Sequence, residues 1–526
     1  MVKKKAGSPK IEFNEQFKLA LHIMEQTGEN VFITGRAGTG KSTLLDYFRN
    51  NTRKKVVVLA PTGVAAVNVK GQTIHSFFKF KPDITPDKVK ELYSKEGKQI
   101  YNELDAIVID EVSMVRADLL DCVDIFLRQN GPGKKKPFGG IQMIFVGDLY
   151  QLPPVLKGEE RKIFSSVYDS PYFFSSHAFG NIHMELVELQ KIYRQHDDEF
   201  IRLLNSIRNN TVTVDDLKQF NGRYFPDYEP APDSFYIYLT TTNQLAEQIN
   251  TRELEKLQGN ACLFRGRIEG QFGREYLPTA IDLQVKEGAQ IMLLNNDAAG
   301  RWVNGTIGKI EQIAQKKNGL QAIVAILSDG EVMEIYPHKW EIFRFFIEDN
   351  KLRSEIVGTF TQYPLMLAWA VTIHKAQGKT FDKVIVDTGR GTFAHGQIYV
   401  ALSRCTSLEG IILKRPLLKH NIWMDYKVVN FMTAYQYKKS EQICSTDDKL
   451  RIIRKAIRNG NRLRIIYLKP SDEKSSRIIQ PQEVGEMEFN EVIYTGLRAY
   501  CLARRQERHF RVDRILEIEV VEDAGN

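Results

Sequence analysis

Short, continuously apolar runs set the rhythm of the first part of the chain: NVFITG (30–35), KVVVLAP (55–61), AIVIDE (106–111) and QMIFVGD (142–148), each followed by a stretch with helical spacing. Runs without polar alternation predict strands buried on both faces, hence a parallel sheet with helices on either side. The polar stretch 79–102 breaks this rhythm and predicts an insert, about 78–103, standing out from the sheet. The rhythm returns at FYIYLTTTN (235–243) and the helical NQLAEQINTRELEKL (243–257). Over 261–350, short β runs and glycine turns such as GAQIMLLNNDAAGRWVNGTIGKIEQI (288–313) predict a small barrel. The α/β pattern resumes at LMLAWAVTIHKAQG (365–378), KVIVDT (383–388), QIYVALSR (397–404) and LEGIILKRP (408–416), so the barrel is inserted into a second α/β domain. Polar KKSEQICSTDDK (438–449) predicts a linker, and 450–523 a helix followed by short strands.

Composition changes this picture little. At 526 residues the chain exceeds one core. Its 43% apolar and 26% charged content is that of a soluble globular protein, and no apolar run reaches the ~18 residues of a membrane span. MVKKKAGSPK (1–10) is basic with no apolar stretch behind it, which predicts a frayed tail, or an arm touching nucleic acid, rather than a secretory signal. The five cysteines (122, 262, 405, 444, 501) form no C-x-x-C, arguing for a reducing compartment and against a zinc site. A net charge of +8 permits a polyanionic partner without requiring one.

The chemistry concentrates at the ends of the buried runs. GRAGTGKST (35–43) lies between a strand and a helix, the context of a phosphate-binding loop. Gly35, Gly38 and Gly40 let successive N–H groups face phosphates, Lys41 reaches the β/γ-phosphates, and Ser42 can ligate Mg²⁺. AIVIDE supplies Asp110 for the metal and Glu111 to orient an attacking water. FVGDLYQLPPV (145–155) poses a question: a buried strand stops at Gly-Asp, holds Asp148 and Gln151 at its mouth, then stiffens with two prolines.

These strings, followed in order by APTGVAA (60–66), GQTIHSF (71–77), DEVSMV (110–115), GDLYQLPPV (147–155), QKIYRQ (190–195), TIHKAQGKTFDKV (372–384) and YVALSRCTS (399–407), resemble the type B helicases of superfamily one. Within them they are most similar to the petite-integration-frequency (PIF) family, relatives of the RecD-type helicases. The resemblance covers roughly 13–415 and implies an α/β fold of two RecA-like parallel-sheet cores. The first would span 1–183 with its small wedge insert. The second would span 184–258 and 351–437 and carry an SH3-like barrel (259–350). It implies ATP and Mg²⁺ as cofactors, and a monomeric motor moving 5′ to 3′ on single-stranded DNA and unwinding duplex, with forked and G-quadruplex DNA among the substrates the family resemblance suggests. The setting implied is a bacterial cytoplasm (nucleoid), with no membrane partner.

Carried over by position, Gln151 senses the γ-phosphate, and Arg194 and Arg404 act as arginine fingers reaching from the second core. Gln16 reads adenine. Thr39, Thr43, Gln377 and Gly378 complete the ATP site. Thr62, Gly63, His75, Phe77, Thr372, His374 and Lys375 face DNA, hydroxyls and Lys binding phosphate while His and Phe stack on bases.

Downstream, RIIRKAIRNGNRLR (451–464) sets Arg451, Arg454, Lys455 and Arg458 opposite an apolar face. RIIQPQEVG (477–485) and RAYCLARRQERHFRVDRILEIE (498–519) resemble the WYL domain, a small β-barrel, over 450–526, although its Trp-Tyr-Leu string reads Thr495-Gly496-Leu497 here. Arg477, Arg508 and Arg514 are the ligand positions that this resemblance implies, for a protein or nucleic-acid ligand. Two other functions stay open: an ATPase-switched regulator sensing nucleic acid or a ligand through the C-terminal domain, and an ATPase acting on RNA or protein.

Overall fold

The computed structural model describes residues 12–156, 160–195, 197–315, 321–348, 351–389, 391, 394–422, 424–489 and 492–521. The basic tail 1–10 lies outside them. The chain forms two compact units, one of residues 1–205 with 213–422, the other of 206–212 with 423–526.

In the first unit, six parallel strands run in the order Gln72–Thr73, Val56–Ala60, Ala106–Ile109, Gln142–Val146, Asn30–Gly35, Met184–Leu189. The central strands are buried on both faces, as their unbroken apolar runs require. The helices Glu15–Gln26 and Lys41–Asn51 cover one face, with Phe17, Met24, Leu44 and Phe48 against Val31, Ile33 and Ile144. The expected boundary at 183/184 cuts this sheet, because Met184–Leu189 pairs along the whole of Asn30–Gly35. Its partly exposed positions are those of an edge strand, which periodicity alone does not assign to one core or the other.

A second parallel sheet runs Ala370–Thr372, Ile237–Thr240, Val384–Asp387, Ile411–Leu413. The single apolar run 365–373 serves two sheets: Leu365–Leu367 pairs antiparallel with Gln290–Leu293, and Ala370–Thr372 joins the parallel sheet. Between them lies an antiparallel module. Its five-stranded sheet runs Val332–Ile335, Gln321–Leu327, Ile307–Gln315, Gln290–Leu293, Leu365–Leu367, around Trp302, Val285 and Ile291. The expected boundary at 350/351 also moves. Lys351–Gln362 pairs with His338–Glu348 in one long hairpin, so the insert runs to 367.

The insert near 78–103 is anchored rather than free at its base. Tyr101, on the helix Lys95–Glu103, packs on Phe77, Phe78 and Phe126 and donates to the Phe77 carbonyl at 2.8 Å.

The second unit begins with the helix Tyr426–Ile443, so the expected linker 438–449 is structured. Ser445 caps the next helix, Thr446–Asn459, with Asp447 and Asp448 in its first turn, so the polar run marks a helix end and a helix start. Buried Lys449 donates to buried Ser440 at 2.9 Å, tying the two helices together. The strands that follow form a five-stranded antiparallel sheet, Gln506–Arg511, Val492–Cys501, Lys474–Phe489, Arg462–Leu468, Ile515–Val521. Two of them are long rather than short, with 16 and 10 residues. Ile453 and Ala456 of the second helix close its core over Leu463, Ile479 and Phe510. No helix among the described residues is long and apolar enough to cross a membrane.

Candidate active site

The phosphate-binding loop takes the shape its glycines allow. Gly38 (φ 80°) and Gly40 (φ 88°) lie in the left-handed region, and a Cβ at Gly38 would stand 2.5 Å from the Cβ of Arg194. Lys41 Nζ donates to the Gly35 and Arg36 carbonyls at 2.6 and 3.1 Å, spanning the loop. Thr39 is buried, its hydroxyl donating to Arg36 O at 2.9 Å, so it braces the loop rather than facing outward.

The loop opens on a cavity of about 770 Å³ lined by Gly38, Thr39, Gly40, Lys41, Ser42, Thr43, Asp110, Glu111, Gln151, Arg194, Gly378 and Arg404. Phe17, Tyr193 and Thr380, which sequence reasoning passed over, line it too. Tyr193 stands directly before Arg194 in QKIYRQ, a signal read only for its arginine. Gln16 and Gly35 are not among the lining residues; Phe17 is the neighbour that reaches the cavity, and Gly35 acts through its carbonyl. Gln377 reaches it indirectly, donating to Glu111 Oε2 at 3.0 Å.

Glu111 holds a left-handed backbone (φ 51°, ψ 41°), a conformation uncommon for a residue with a side chain and most often kept at working sites. Burial, then the neighbouring Glu111, pushes Asp110 up to about 7. Burial raises Glu111 as well, against the pull of Lys41 and Arg404. Two carboxylates whose charge is so poorly compensated suit a divalent cation, and Asp110 with the Ser42 hydroxyl offers the hard oxygens Mg²⁺ takes. The donor set therefore fits Mg²⁺.

Asp148 and Gln151 are both buried and joined, Gln151 Nε2 donating to Asp148 Oδ2 at 3.1 Å. The second core grips the same loop: a Cβ on Gly396 would meet the Tyr150 and Gln151 carbonyls at 2.5 and 2.6 Å, and His395 Nε2 lies 3.2 Å from Leu149 O.

Arg404 follows the helix Gln397–Leu402 of the second core and is fully buried. It donates to Val400 O at 3.0 Å, Lys379 O at 3.3 Å and Ser403 Oγ at 3.0 Å. Burial, with Arg194 beside it, draws its guanidinium down to about 9. Arg194 departs from expectation in origin. It sits five residues past the edge strand of the first sheet, beside Tyr193, whose N–H donates to Gly38 O at 2.9 Å. It therefore leaves from the first core and reaches across, donating to Ser403 O at 3.2 Å and Gly378 O at 3.4 Å.

The expected DNA-facing set divides. Thr62, exposed, caps the helix Gly63–Asn68. Lys375 is exposed, and His75 and His374 are half-buried, burial lowering both imidazoles towards the neutral form. Phe77 does not face outward: it is 5% exposed inside the aromatic cluster with Phe78 and Tyr101. Gly63 is buried against residues 275–276, where a Cβ would stand 2.1 Å from the Glu275 carbonyl. Thr372 is buried too, its hydroxyl accepting from Lys375 N at 3.3 Å. In the second unit Arg477 is buried, donating to Ser475 Oγ at 3.1 Å with Nη1 3.7 Å from Cys501 Sγ; Arg508 and Arg514 are half-buried.

A phosphate loop, an acidic pair, a buried glutamine and two arginines meeting at one cleft define a two-core P-loop nucleotide-binding fold. Residues 12–218 match the family described as PIF1-like helicase, 367–408 the UvrD-like helicase C-terminal domain and 448–520 the WYL domain. The chain is 33% identical to the human ATP-dependent DNA helicase PIF1 over 80% of its own length and 64% of that protein. To the Bdellovibrio bacteriovorus ATP-dependent DNA helicase Pif1 it is 31% identical, over 81% of its length and 93% of the relative. The crystal structure of Bacteroides sp Pif1 in complex with ADP-AlF4 superimposes with a TM-score of 0.75 at 35% identity, covering 82% of this chain and 98% of that one; the same Bacteroides protein bound to ssDNA gives 0.58. The chain belongs to the PIF1-like helicases. It spans less than two thirds of the human relative's length.

Proposed function

We propose that the chain is an ATP-driven motor that moves 5′ to 3′ along single-stranded DNA and unwinds duplex, forked DNA included, as a monomer on bacterial DNA. The observation that carries this reading is the cleft itself, where Lys41, Asp110 and Glu111 of the first core face Arg404 of the second across one cavity. ATP would seat its phosphates on the loop amides and Lys41. Mg²⁺, held by Ser42 and Asp110, would supply charge neutralisation at the phosphates. Glu111 would orient the water, and Arg194 and Arg404 would meet the charge that develops as the γ-phosphoryl leaves. An arginine supplied across a cleft makes hydrolysis depend on closure, and closure advances the strand. The Bacteroides relative, solved with ssDNA, supports that ligand.

The inserted module acts as an SH3-like clamp over the strand, and the insert near 78–103 as the wedge. The surfaces offered to DNA are Thr62, His75, His374 and Lys375. For the second unit, Arg477, Arg508 and Arg514 take an anionic ligand, with nucleic acid the favoured one given the basic helix face of Arg451, Arg454, Lys455 and Arg458. Strand displacement on 5′-tailed and 3′-tailed duplexes tests the motor: unwinding from the 5′ tail alone is expected, and unwinding from the 3′ tail, or from neither, rejects it.

A further inference from the structure

Lys379 lies inside the string QGKTF but takes no part in the cavity, although Gly378 and Thr380 on either side of it do. Its backbone carbonyl accepts from Arg404 Nη1 at 3.3 Å. Its side chain leaves the cleft and donates to Asn304 Oδ1, on the loop of the inserted module. Asn304 Nδ2 in turn donates to Asn68 Oδ1 at 3.2 Å, at the end of the first-core helix that Thr62 caps. One amide therefore holds the second core through its oxygen and the first core through its nitrogen.

The loop presenting Asn304 is stiff. Arg301 forks onto Asp297 at 2.7 and 2.8 Å and covers the Trp302 ring at 4.6 Å, while Trp302 Nε1 donates to Asn295 at 3.1 Å. Asn304 N itself donates to Asn296 Oδ1 at 2.8 Å. Gly305 (φ 103°) admits the lysine stem, since a Cβ there would meet Lys379 Cβ at 3.3 Å. Burial draws the Lys379 amine down to about 8, the mark of a cation placed in protein surroundings instead of water.

We infer that Lys379 is a positioning residue: with Asn304 and Asn68 it ties the Arg404 finger to the inserted module and the DNA-facing helix, so that strand engagement sets the finger. This rests on the finger reading of Arg404. A stiff loop bonded to both cores moves when the cleft closes, and a displacement of its Asn304 pulls on the segment whose carbonyl holds the guanidinium. Such a link changes how much DNA accelerates hydrolysis without touching nucleotide affinity.

The test compares Lys379→Met, Asn304→Ala and the double variant in steady-state ATP hydrolysis with and without single-stranded DNA. For Asn304→Ala, DNA-free turnover is expected within about twofold of wild type, while DNA-stimulated kcat falls about 10-fold at unchanged KM for ATP, a split that a general loss of structure does not give. Lys379→Met should lose the same stimulation, and the double variant should be no worse than either single, because one link is cut twice. Full stimulation in Asn304→Ala, or multiplied losses in the double variant, overturns the inference. Arg404→Ala is the separate control: normal DNA-free turnover there removes the finger reading itself, whatever the other variants do.

Discussion

Replacing Arg404 with alanine separates binding from chemistry more cleanly than any other change in the cleft. The guanidinium is 1% exposed and hydrogen-bonded to Val400 O, Lys379 O and Ser403 Oγ. Burial has already lowered its affinity for a proton, so the fold tolerates this charge rather than being held by it. Alanine leaves three acceptors short of a donor, each worth about 1 kcal/mol, but also removes a desolvated cation, so the net change in stability should stay within a few kcal/mol. Catalysis should suffer far more. An arginine finger contributes about 10³-fold or more to turnover, which at about 1.4 kcal/mol per decade is roughly 4 kcal/mol of transition-state stabilisation. Arg194 remains in place but its guanidinium is engaged by the Ser403 and Gly378 carbonyls, so it should not compensate. Arg404→Lys retains the charge without the planar fork and should recover about a tenth of the lost turnover at most. The assay is single-turnover hydrolysis at saturating single-stranded DNA, beside titration with a fluorescent ATP analogue and a thermal melt. Kd within about threefold of wild type, with kcat down by about 10³, is the expected pair. Weakened binding with unchanged turnover would place Arg404 outside the transition state and refute the reasoning.

Lys41→Ala should abolish hydrolysis, and Glu111→Gln should bind ATP yet not turn it over; normal turnover in either, followed by phosphate release, contradicts the assignment. Asp110 makes a pH-dependent prediction for the nucleotide-free protein. Its folded pKa, about 7, lies above the roughly 3.9 of an unfolded aspartate, so the stabilisation is fully present only below about pH 4 and is lost progressively until pH passes about 7. Asp110→Asn should thus raise Tm most at pH 8, by less at pH 5 and little near pH 4, and an equal shift at pH 8 and pH 4 would show that burial of charge is not the cause. Phe77→Ala should cost about 3–5 kcal/mol as a core truncation, read by denaturant melts, and a stable variant with weakened DNA binding would return Phe77 to the DNA-facing set. Arg454, Lys455 and Arg458 are exposed on the helix Thr446–Asn459. Reversing their charge should flatten the log–log salt dependence of single-strand binding by about 0.7 for each phosphate no longer neutralised; identical slopes would direct the second unit to another ligand.

What the sequence disclosed follows from how narrowly each chemistry constrains its residues. The phosphate loop was legible because left-handed backbone at Gly38 and Gly40 admits few residues other than glycine, and the lysine must follow at once. Phe77 was not, since an aromatic ring beside a histidine serves a core as well as it serves a base, and only the packing of Tyr101 decides between them. The strand Met184–Leu189 misled for a different reason: an edge strand pairs on one side, and nothing local says with which sheet. That misplacement carried Arg194 to the wrong core. The supposed linker concealed a buried pair, Ser440 and Lys449, whose polar character reads as solvent exposure until the two are seen to satisfy each other.

The stiff mouth of FVGDLYQLPPV is held from both cores. Asp148 holds the Gln151 amide, fixing where its side chain can point, and the following prolines remove the freedom by which the loop could absorb a displacement. Across the cleft Gly396 presses on the Tyr150 and Gln151 carbonyls so closely that any side chain would collide, and His395 reaches Leu149. Gly396 is also the cap of the helix Gln397–Leu402, which ends at the residues carrying Arg404. Gln151 and Arg404 are thus tied to the two ends of one short helix. If Gln151 takes the proposed place beside the γ-phosphate, a change there that moves it would push on the start of that helix, and one that releases Arg404 would free its end. A flexible turn in place of the prolines would let the first motion dissipate before it reached the second core.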